Sequence, residues 1–198
     1  MSRPFLRIAG LAAVFCLCAT RIASALPAYL SGFVISVPDQ ELAALARGKV
    51  IARFPVSTSK FGTGDGVGTY RTPLGAFIIS AKIGDHLPAG AVIKSRTPTG
   101  EVVAANSLGR DAIVSRVIWL RGKDAANRNA YERCIYIHGT AEEKRIGRRA
   151  SFGCVRMKSN DVIALYQLAH IGAAVLITEE PLNKFLPAEE TTLLSRAD

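Results

Sequence analysis

From Phe33 onward, apolar residues fall into short runs broken by Gly and Pro, a spacing that predicts strands rather than long helices. Phe33–Val37, Val50–Ser57, Gly75–Ala81 and Ile113–Leu120 are the clearest strand segments. Between the first two, Glu41-Leu42-Ala43-Ala44-Leu45-Ala46 contains good helix formers, yet Arg47-Gly48-Lys49 reads as a turn feeding the next strand, so Asp39–Arg47 is assigned to a hairpin. Phe61–Gly75 holds five glycines and a Thr-Pro; its Gly62-x-Gly64-x-Gly66 spacing lacks the third-glycine register and following helix of a phosphate-binding turn, which leaves a loop. Alternation over Tyr131–His138 predicts a strand with Cys134, Tyr136 and His138 on one face and His138 at its end. One helix stands out: Ser159-Asn160-Asp161 can cap a segment running through Val162, Ile163, Leu165, Tyr166 and Leu168 to a stop at Gly172. Ala173–Thr178 reads as a buried strand, and Pro181–Asp198, without a clear period, as a loosely ordered tail. The fold class is mainly β with one prominent helix, and no internal repeat or low-complexity block interrupts it.

A chain of 198 residues, 49% of them hydrophobic, can bury one core and is short for two. Its start changes the compartment: Arg3 and Arg7 precede an apolar stretch, Ile8–Ala19, that ends near Ala23-Ser24-Ala25, the layout of a cleaved secretory signal over residues 1–25. The stretch is shorter than the roughly 20 residues of a spanning helix, and Phe15 and Leu17 before Cys16 and Cys18 do not fit a lipidation site. Export predicts a periplasmic or cell-envelope protein, with residues 26–180 as the working domain.

Cleavage lowers the formal charge from +9 to +6, with 22 basic and 16 acidic side chains remaining. A basic surface outside the cytoplasm faces envelope carboxylates and phosphates, so nucleic acid is not the expected partner. Only Cys134 and Cys154 remain in the mature chain, too few for a disulfide-stapled scaffold. They and the histidines lack paired metal-ligand spacing, so no metal or other cofactor is expected.

Two segments concentrate the candidate chemistry, Ile135-Tyr136-Ile137-His138-Gly139-Thr140 and Ala150-Ser151-Phe152-Gly153-Cys154-Val155-Arg156-Met157. Thiolate is the reactive form of cysteine, and an imidazole supplied by the fold can take its proton, which pairs Cys154 with His138. Gly153 permits close approach, and the Gly153 and Cys154 backbone N–H groups are candidate oxyanion donors. Taken singly, a cysteine is as readily a small core residue and a histidine a satisfied polar one.

The surrounding pattern tips that balance. IYIHGT followed by SFGCVRM resembles the signature of the L,D-transpeptidase catalytic domain family, the YkuD-like enzymes. The resemblance extends upstream through Phe33–Gly48, Phe54-Pro55-Val56-Ser57-Thr58-Ser59 and Arg71-Thr72-Pro73-Leu74-Gly75-Ala76-Phe77, and covers about residues 33–178. It implies a compact β-sandwich, Cys154 as nucleophile, His138 as general base and acid, and Ser151, Gly153 and Arg156 as the other motif positions. Tyr136 and Gly139 flank the base and, with Arg156, are expected on the substrate side. Phe152 departs from the histidine that many relatives carry there, so altered substrate contacts are expected.

The implied reaction acts on peptidoglycan stem peptides: Cys154 attacks a tetrapeptide stem, releases the terminal D-alanine and passes the acyl group on. The acceptor is a second stem, a free D-amino acid, an envelope protein amine, or water in an L,D-carboxypeptidase. Carbapenems are expected to acylate the same thiol. A catalytically silent peptidoglycan-binding module, with Phe152 in its recognition surface, is the other reading. Ser151 reads as a hydroxyl that pins its turn. Arg156 can either attract a substrate carboxylate or brace the loop. Lys144, Arg145, Arg148 and Arg149 read first as a solvated loop, with a steering role as the alternative. A Cys134–Cys154 disulfide would mask the nucleophile. His86 and His170 receive no role.

Overall fold

The computed structural model describes residues 31–107, 109 and 111–186. The expected signal segment and the chain after residue 186 lie outside them. Ten strands and one α-helix follow in the order β1 (Gly32–Ser36), β2 (Glu41–Ala46), β3 (Lys49–Pro55), β4 (Gly75–Ile83), β5 (Ala91–Lys94), β6 (Thr97–Val102), β7 (Ile113–Gly122), β8 (Tyr136–Thr140), β9 (Val155–Met157), α1 (Ser159–Leu168) and β10 (Ala174–Thr178). This is the mainly β architecture with one prominent helix that the apolar pattern predicts.

Strand order along the sheet is β3-β2-β1-β10-β4-β7-β5-β6, and at β7 a branch leads through β8 to β9. Most pairs are antiparallel, but β1 with β10 and β8 with β9 run parallel. The sheet curls until the segment after β3 meets β9, where Ser57 and Arg156 exchange backbone hydrogen bonds of 2.9 Å in both directions. Its inner faces therefore enclose one core, shared by Phe33 and Ile35 of β1, Leu42 of β2, Phe77 and Ile79 of β4, Ile118 and Leu120 of β7, Ile137 of β8, Val155 and Met157 of β9, and Val162 and Leu165 of α1. That is the sandwich the resemblance implies.

The helix-forming residues of β2 lie in a strand because both of its faces are covered. Leu42 and Ala44 join the main core, while Ala43 and Leu45 join Val34 and Leu182 in a smaller cluster. Burial on two sides outweighs a propensity difference of a few tenths of a kcal/mol. The turn to β3 has Arg47 at φ 51° and Gly48 at φ 72°, the left-handed pair of a tight hairpin turn. Leu182, in a short 3-10 turn at Leu182–Lys184, is buried on the outer face of β1 and β2, so the chain just beyond residue 181 is packed.

Three boundaries differ from the sequence reading. Residues 131–134 form a turn, and β8 starts only at Tyr136; Cys134 has φ 56° and closes that turn with its N–H on the Tyr131 carbonyl at 3.0 Å. The helix begins after Lys158 rather than on a side-chain cap from Ser159, because the Glu143 carboxylate from a distant loop accepts the Ser159 N–H at 2.8 Å. It ends at Leu168, four residues before Gly172. The β5–β6 hairpin has no counterpart in the sequence reading: β6 is exposed throughout and carries Pro98 and Gly100.

The helix packs on β7 and β8, and Gly139 sets how closely. A Cβ there would lie 2.5 Å from the Val114 carbonyl oxygen and 3.1 Å from Val162 Cγ1. Gly139→Ala is expected to cost at least ~2 kcal/mol of stability, measured by urea unfolding; an unchanged midpoint would contradict this packing.

Candidate active site

Strands β8 and β9 run parallel with Ile137 opposite Val155 and His138 opposite Arg156. Registered residues of neighbouring strands share a face, and alternate residues point to opposite faces. Ile137, Val155 and Met157 enter the main core, so Tyr136, His138 and Arg156 take the other face. Cys154, one residue before β9, falls on that same face opposite Tyr136 and packs against the apolar cluster that Tyr136 forms with Ile93 and Val117. The structure thus brings His138 and Cys154 to one face of neighbouring strands, on a diagonal.

His138 is buried, and its Nδ1 lies 2.8 Å from the Gly139 carbonyl oxygen. A carbonyl can only accept, so Nδ1 carries the proton and Nε2 of the neutral ring is left as the basic nitrogen. The Cys154 sulfur donates to the Cys134 carbonyl at 3.3 Å and accepts the Tyr136 N–H at 3.5 Å. At rest the thiol is thus turned toward backbone, and no hydrogen bond joins it to the imidazole.

The turn before Cys154 is tied by short polar bonds. The Ser151 hydroxyl, fully buried, donates to the Cys154 carbonyl at 2.6 Å and accepts the Gly153 N–H at 3.2 Å. Thr72 of the Thr-Pro segment donates its hydroxyl to the Gly153 carbonyl at 2.9 Å. Gly153 has φ 119°, and a Cβ on it would lie 3.3 Å from the Arg71 carbonyl oxygen. The Gly153 N–H, a candidate oxyanion donor, is turned onto Ser151, whereas the Tyr136 N–H points at the sulfur. This Tyr136 backbone donor carries no side-chain signature for a sequence reading to find.

Arg156 is buried beside the site and braced twice, by Asp111 Oδ2 at 2.7 Å and Glu142 Oε2 at 3.2 Å. Its charge bears on both candidate groups. Burial pushes the His138 pKa down to about 4, opposed by the Gly139 carbonyl and reinforced by the Arg156 guanidinium. Burial likewise pushes the Cys154 thiol up to about 11, opposed by the Tyr136 N–H and by Arg156. Cys154 is partly exposed, and its sulfur is engaged by the Cys134 carbonyl and the Tyr136 N–H. At neutral pH the resting pair is an uncharged thiol and an uncharged imidazole.

A cavity of about 240 Å³ opens at Cys154, lined also by Val67, Tyr70, Arg133, Ile135 and Phe152. Phe61, Tyr70 and Phe152 form an exposed cluster at its rim, with ring centroids 5.8 to 6.1 Å apart, and the Lys60 ammonium lies 4.3 Å from the Phe152 centroid. The glycine-rich loop that carries Tyr70 is anchored by Arg133, which bonds Asp65 Oδ1 at 2.9 Å and the Arg71 carbonyl at 2.6 Å. Asp65, Asp111, Glu142 and Arg133 support the site from separated segments, and neither period nor motif spacing marks them; Thr72 comes from the Thr-Pro stretch that carries part of the resemblance.

Of the other candidates, Tyr136 shares this face, whereas the basic loop and the two remaining histidines lie apart. Tyr136 packs its ring against Trp119 at 5.5 Å, and its hydroxyl pKa is pushed up to about 12 by burial. Lys144, Arg145, Arg148 and Arg149 are exposed on the loop between β8 and β9. His86 pairs with Asp85 at 3.2 Å, and His170 is exposed after α1. Among the described residues, no group of three or more His, Cys, Asp or Glu side chains could hold a metal ion, and no helix is long and apolar enough to cross a membrane.

A curled, mainly β sheet with one helix behind it and a thiol and imidazole on its open face is the framework of an enzyme domain. The chain belongs to the L,D-transpeptidase catalytic domain family (YkuD), whose profile matches residues 31–177. YqjB of Bacillus subtilis (strain 168), whose name assigns it provisionally to the L,D-transpeptidases, is 29% identical over 166 residues, which is 83% of this chain and 81% of that protein. Among solved structures, an L,D-transpeptidase from Xylanimonas cellulosilytica is similar in fold, with 23% identity and a TM-score of 0.50 over 77% of this chain and 63% of that one. One from Mycobacterium smegmatis has 17% identity and a TM-score of 0.49 over 74% and 57% respectively. The chain therefore spans about three fifths of the length of these two solved structures.

The two shifted groups set a pH window. The folded pKa of His138 lies below its ordinary 6.5, so its contribution to stability is complete above that value and is lost as pH falls toward 4. Cys154, raised above 9, acts in the opposite sense: its contribution is complete below 9 and is lost as pH rises toward 11. Urea unfolding of His138→Gln is expected to show a shallower loss of stability than the parent between about pH 6.5 and 4. Equal slopes would contradict a neutral, buried His138.

Proposed function

We propose that the chain is an exported peptidoglycan L,D-transpeptidase of the cell envelope, with residues 1–25 a cleaved signal, residues 26–180 the catalytic domain, Cys154 its nucleophile and His138 its base. The observation that carries this reading is the fixed tautomer of His138. With Nδ1–H held by the Gly139 carbonyl, Nε2 is the proton acceptor on the face that Cys154 shares.

The neutral resting pair makes proton removal part of the attack rather than a step that precedes it. A tetrapeptide stem enters the cavity beside Cys154 and displaces the thiol from the Cys134 carbonyl. The sulfur adds to the carbonyl carbon of the third residue while its proton passes to His138 Nε2. Backbone N–H groups of Tyr136 and Cys154 are the donors available to the oxyanion, the Gly153 N–H being held by the Ser151 hydroxyl. The tetrahedral adduct collapses, the bond to the terminal D-alanine breaks, and the imidazolium returns the proton to the departing amine. A thioester on Cys154 remains, and an amine acceptor then takes the acyl group as His138 removes its proton. A second stem would give a cross-link, a D-amino acid exchange, an envelope protein amine anchoring, and water an L,D-carboxypeptidase product.

Arg156 is given to bracing and to tuning the pair: its two carboxylate partners occupy the guanidinium that a substrate carboxylate would need. The exposed rings of Phe61, Tyr70 and Phe152 favour a second reading, a wall-binding module without turnover.

Mass spectrometry of reduced protein incubated with a disaccharide tetrapeptide separates the two. Loss of D-alanine with cross-linked, exchanged or trimmed product is expected, falling by about 10³-fold or more in Cys154→Ala and by about 10² to 10⁴-fold in His138→Ala. No product from folded, reduced parent, with wall binding that survives Cys154→Ala, would instead support the binding module. Phe152→Ala is expected to raise KM several-fold while kcat stays within about threefold, measured by steady-state kinetics on the same donor; an unchanged KM would remove the rim rings from substrate contact.

A further inference from the structure

Cys134 plays no part in the reaction above through its side chain, yet it is placed against the nucleophile. Both cysteines are free thiols. Both pack on the same apolar cluster of Ile93, Val117 and Tyr136, on the face of the sheet away from the main core. The Cys154 sulfur already lies 3.3 Å from the carbonyl oxygen of Cys134. Cys134 sits in the 131–134 turn just ahead of β8, so moving it breaks no strand ladder. It is half-buried, and its sulfur lies 3.9 Å from the Arg96 guanidinium at the tip of the β5–β6 hairpin, where a small disulfide in solution can reach it.

We propose that Cys134 is a modification site: in a thiol-oxidising environment it forms a disulfide with Cys154, closing the site reversibly. The consequence for turnover rests on the proposed role of Cys154, but the bond itself does not.

The oxidant is a disulfide, of low molecular weight or on a protein. The Cys134 thiolate attacks one of its sulfurs, forming a mixed disulfide and releasing the first thiolate. Cys154, as thiolate, then attacks Cys134 Sγ, the Cys134–Cys154 bond forms, and the second thiolate leaves. The two cysteines lose two electrons and two protons in total, and the oxidant becomes two thiols. Entry through Cys134 follows from the exposed position of its sulfur beside Arg96, while the Cys154 sulfur is engaged by the Cys134 carbonyl and the Tyr136 N–H. Closing the bridge takes rotation about both Cα–Cβ bonds and a shift of the 131–134 turn. A reductant reverses it.

The test uses the chain without residues 1–25, which carry Cys16 and Cys18, reduced, freed of reductant and incubated folded with oxidised glutathione, then read by intact mass and peptide mapping without any substrate. The expected product is a protein lighter by two hydrogens, with the Cys134 and Cys154 peptides linked, no glutathione adduct and no alkylatable thiol, restored by dithiothreitol. Cys134→Ser and Cys134→Ala are expected to stop at one free thiol or one glutathione adduct under the same conditions. A parent that keeps two alkylatable thiols, stops at mixed disulfides, or bridges only after denaturation would overturn the proposal. Turnover of the tetrapeptide donor, measured on the same samples, is expected to fall at least tenfold with bridge formation and to return on reduction. A bridge that forms and reverses in a parent inactive when reduced would leave the modification standing and sink the transpeptidase reading instead.

Discussion

Because β8 and β9 run parallel with Ile137 opposite Val155, one register decides where every candidate reactive group sits. Apolar residues of both strands enter the common core, and Tyr136, His138, Cys154 and Arg156 are left together on the opposite face. A slip by one residue would send the histidine into the core and the isoleucine out. That register is held by the helix on one side, which approaches only because position 139 has no Cβ. It is held on another by the closure of the sheet, where Ser57 and Arg156 pair through their backbones.

Burial then sets the chemistry. The same enclosure that fixes the imidazole and the thiol strips both of solvent and keeps both uncharged near neutrality. Arg156 acts on the two in a single sense, disfavouring imidazolium and favouring thiolate, while Asp111 and Glu142 compensate its own buried charge. The guanidinium is thus a fixed part of the wall, and the cost of leaving it unpaired ties the β8–β9 loop and the segment before β7 to the site. The proposed attack draws on this arrangement: charge is created only as the acyl bond forms, next to backbone donors already in place.

Much of this was legible in the sequence, and the failures have physical causes. Cys154 and His138 stand in motifs whose residue types and spacing carry the resemblance, and strands such as β1, β4 and β7 announce themselves because their buried runs are apolar and β-branched. Alternation over Tyr131–His138 runs into a segment that the structure forms as a turn, because Cys134 takes φ 56° and its N–H bonds back to the Tyr131 carbonyl instead of to a neighbouring strand. The β5–β6 hairpin leaves little pattern because β5 has only three buried residues and β6 is exposed throughout. The Glu143 cap on α1, the Asp111–Arg156–Glu142 set and the Asp65–Arg133 anchor are contacts between segments distant in sequence, which no local period encodes. The lysines and arginines of the β8–β9 loop are exposed, as a solvated loop requires.

The central claim is that the Cys154 sulfur is the nucleophile of an acyl-transfer site. Its most direct test is to incubate reduced, folded protein with a carbapenem, whose strained ring carbonyl a thiolate opens to a stable thioester, and to follow intact mass and the modified peptide. A single adduct on Cys154, absent from Cys154→Ala and formed at least tenfold more slowly in His138→Gln, is the result the account predicts. Adduct on neither cysteine, or on Cys134 alone, would contradict it.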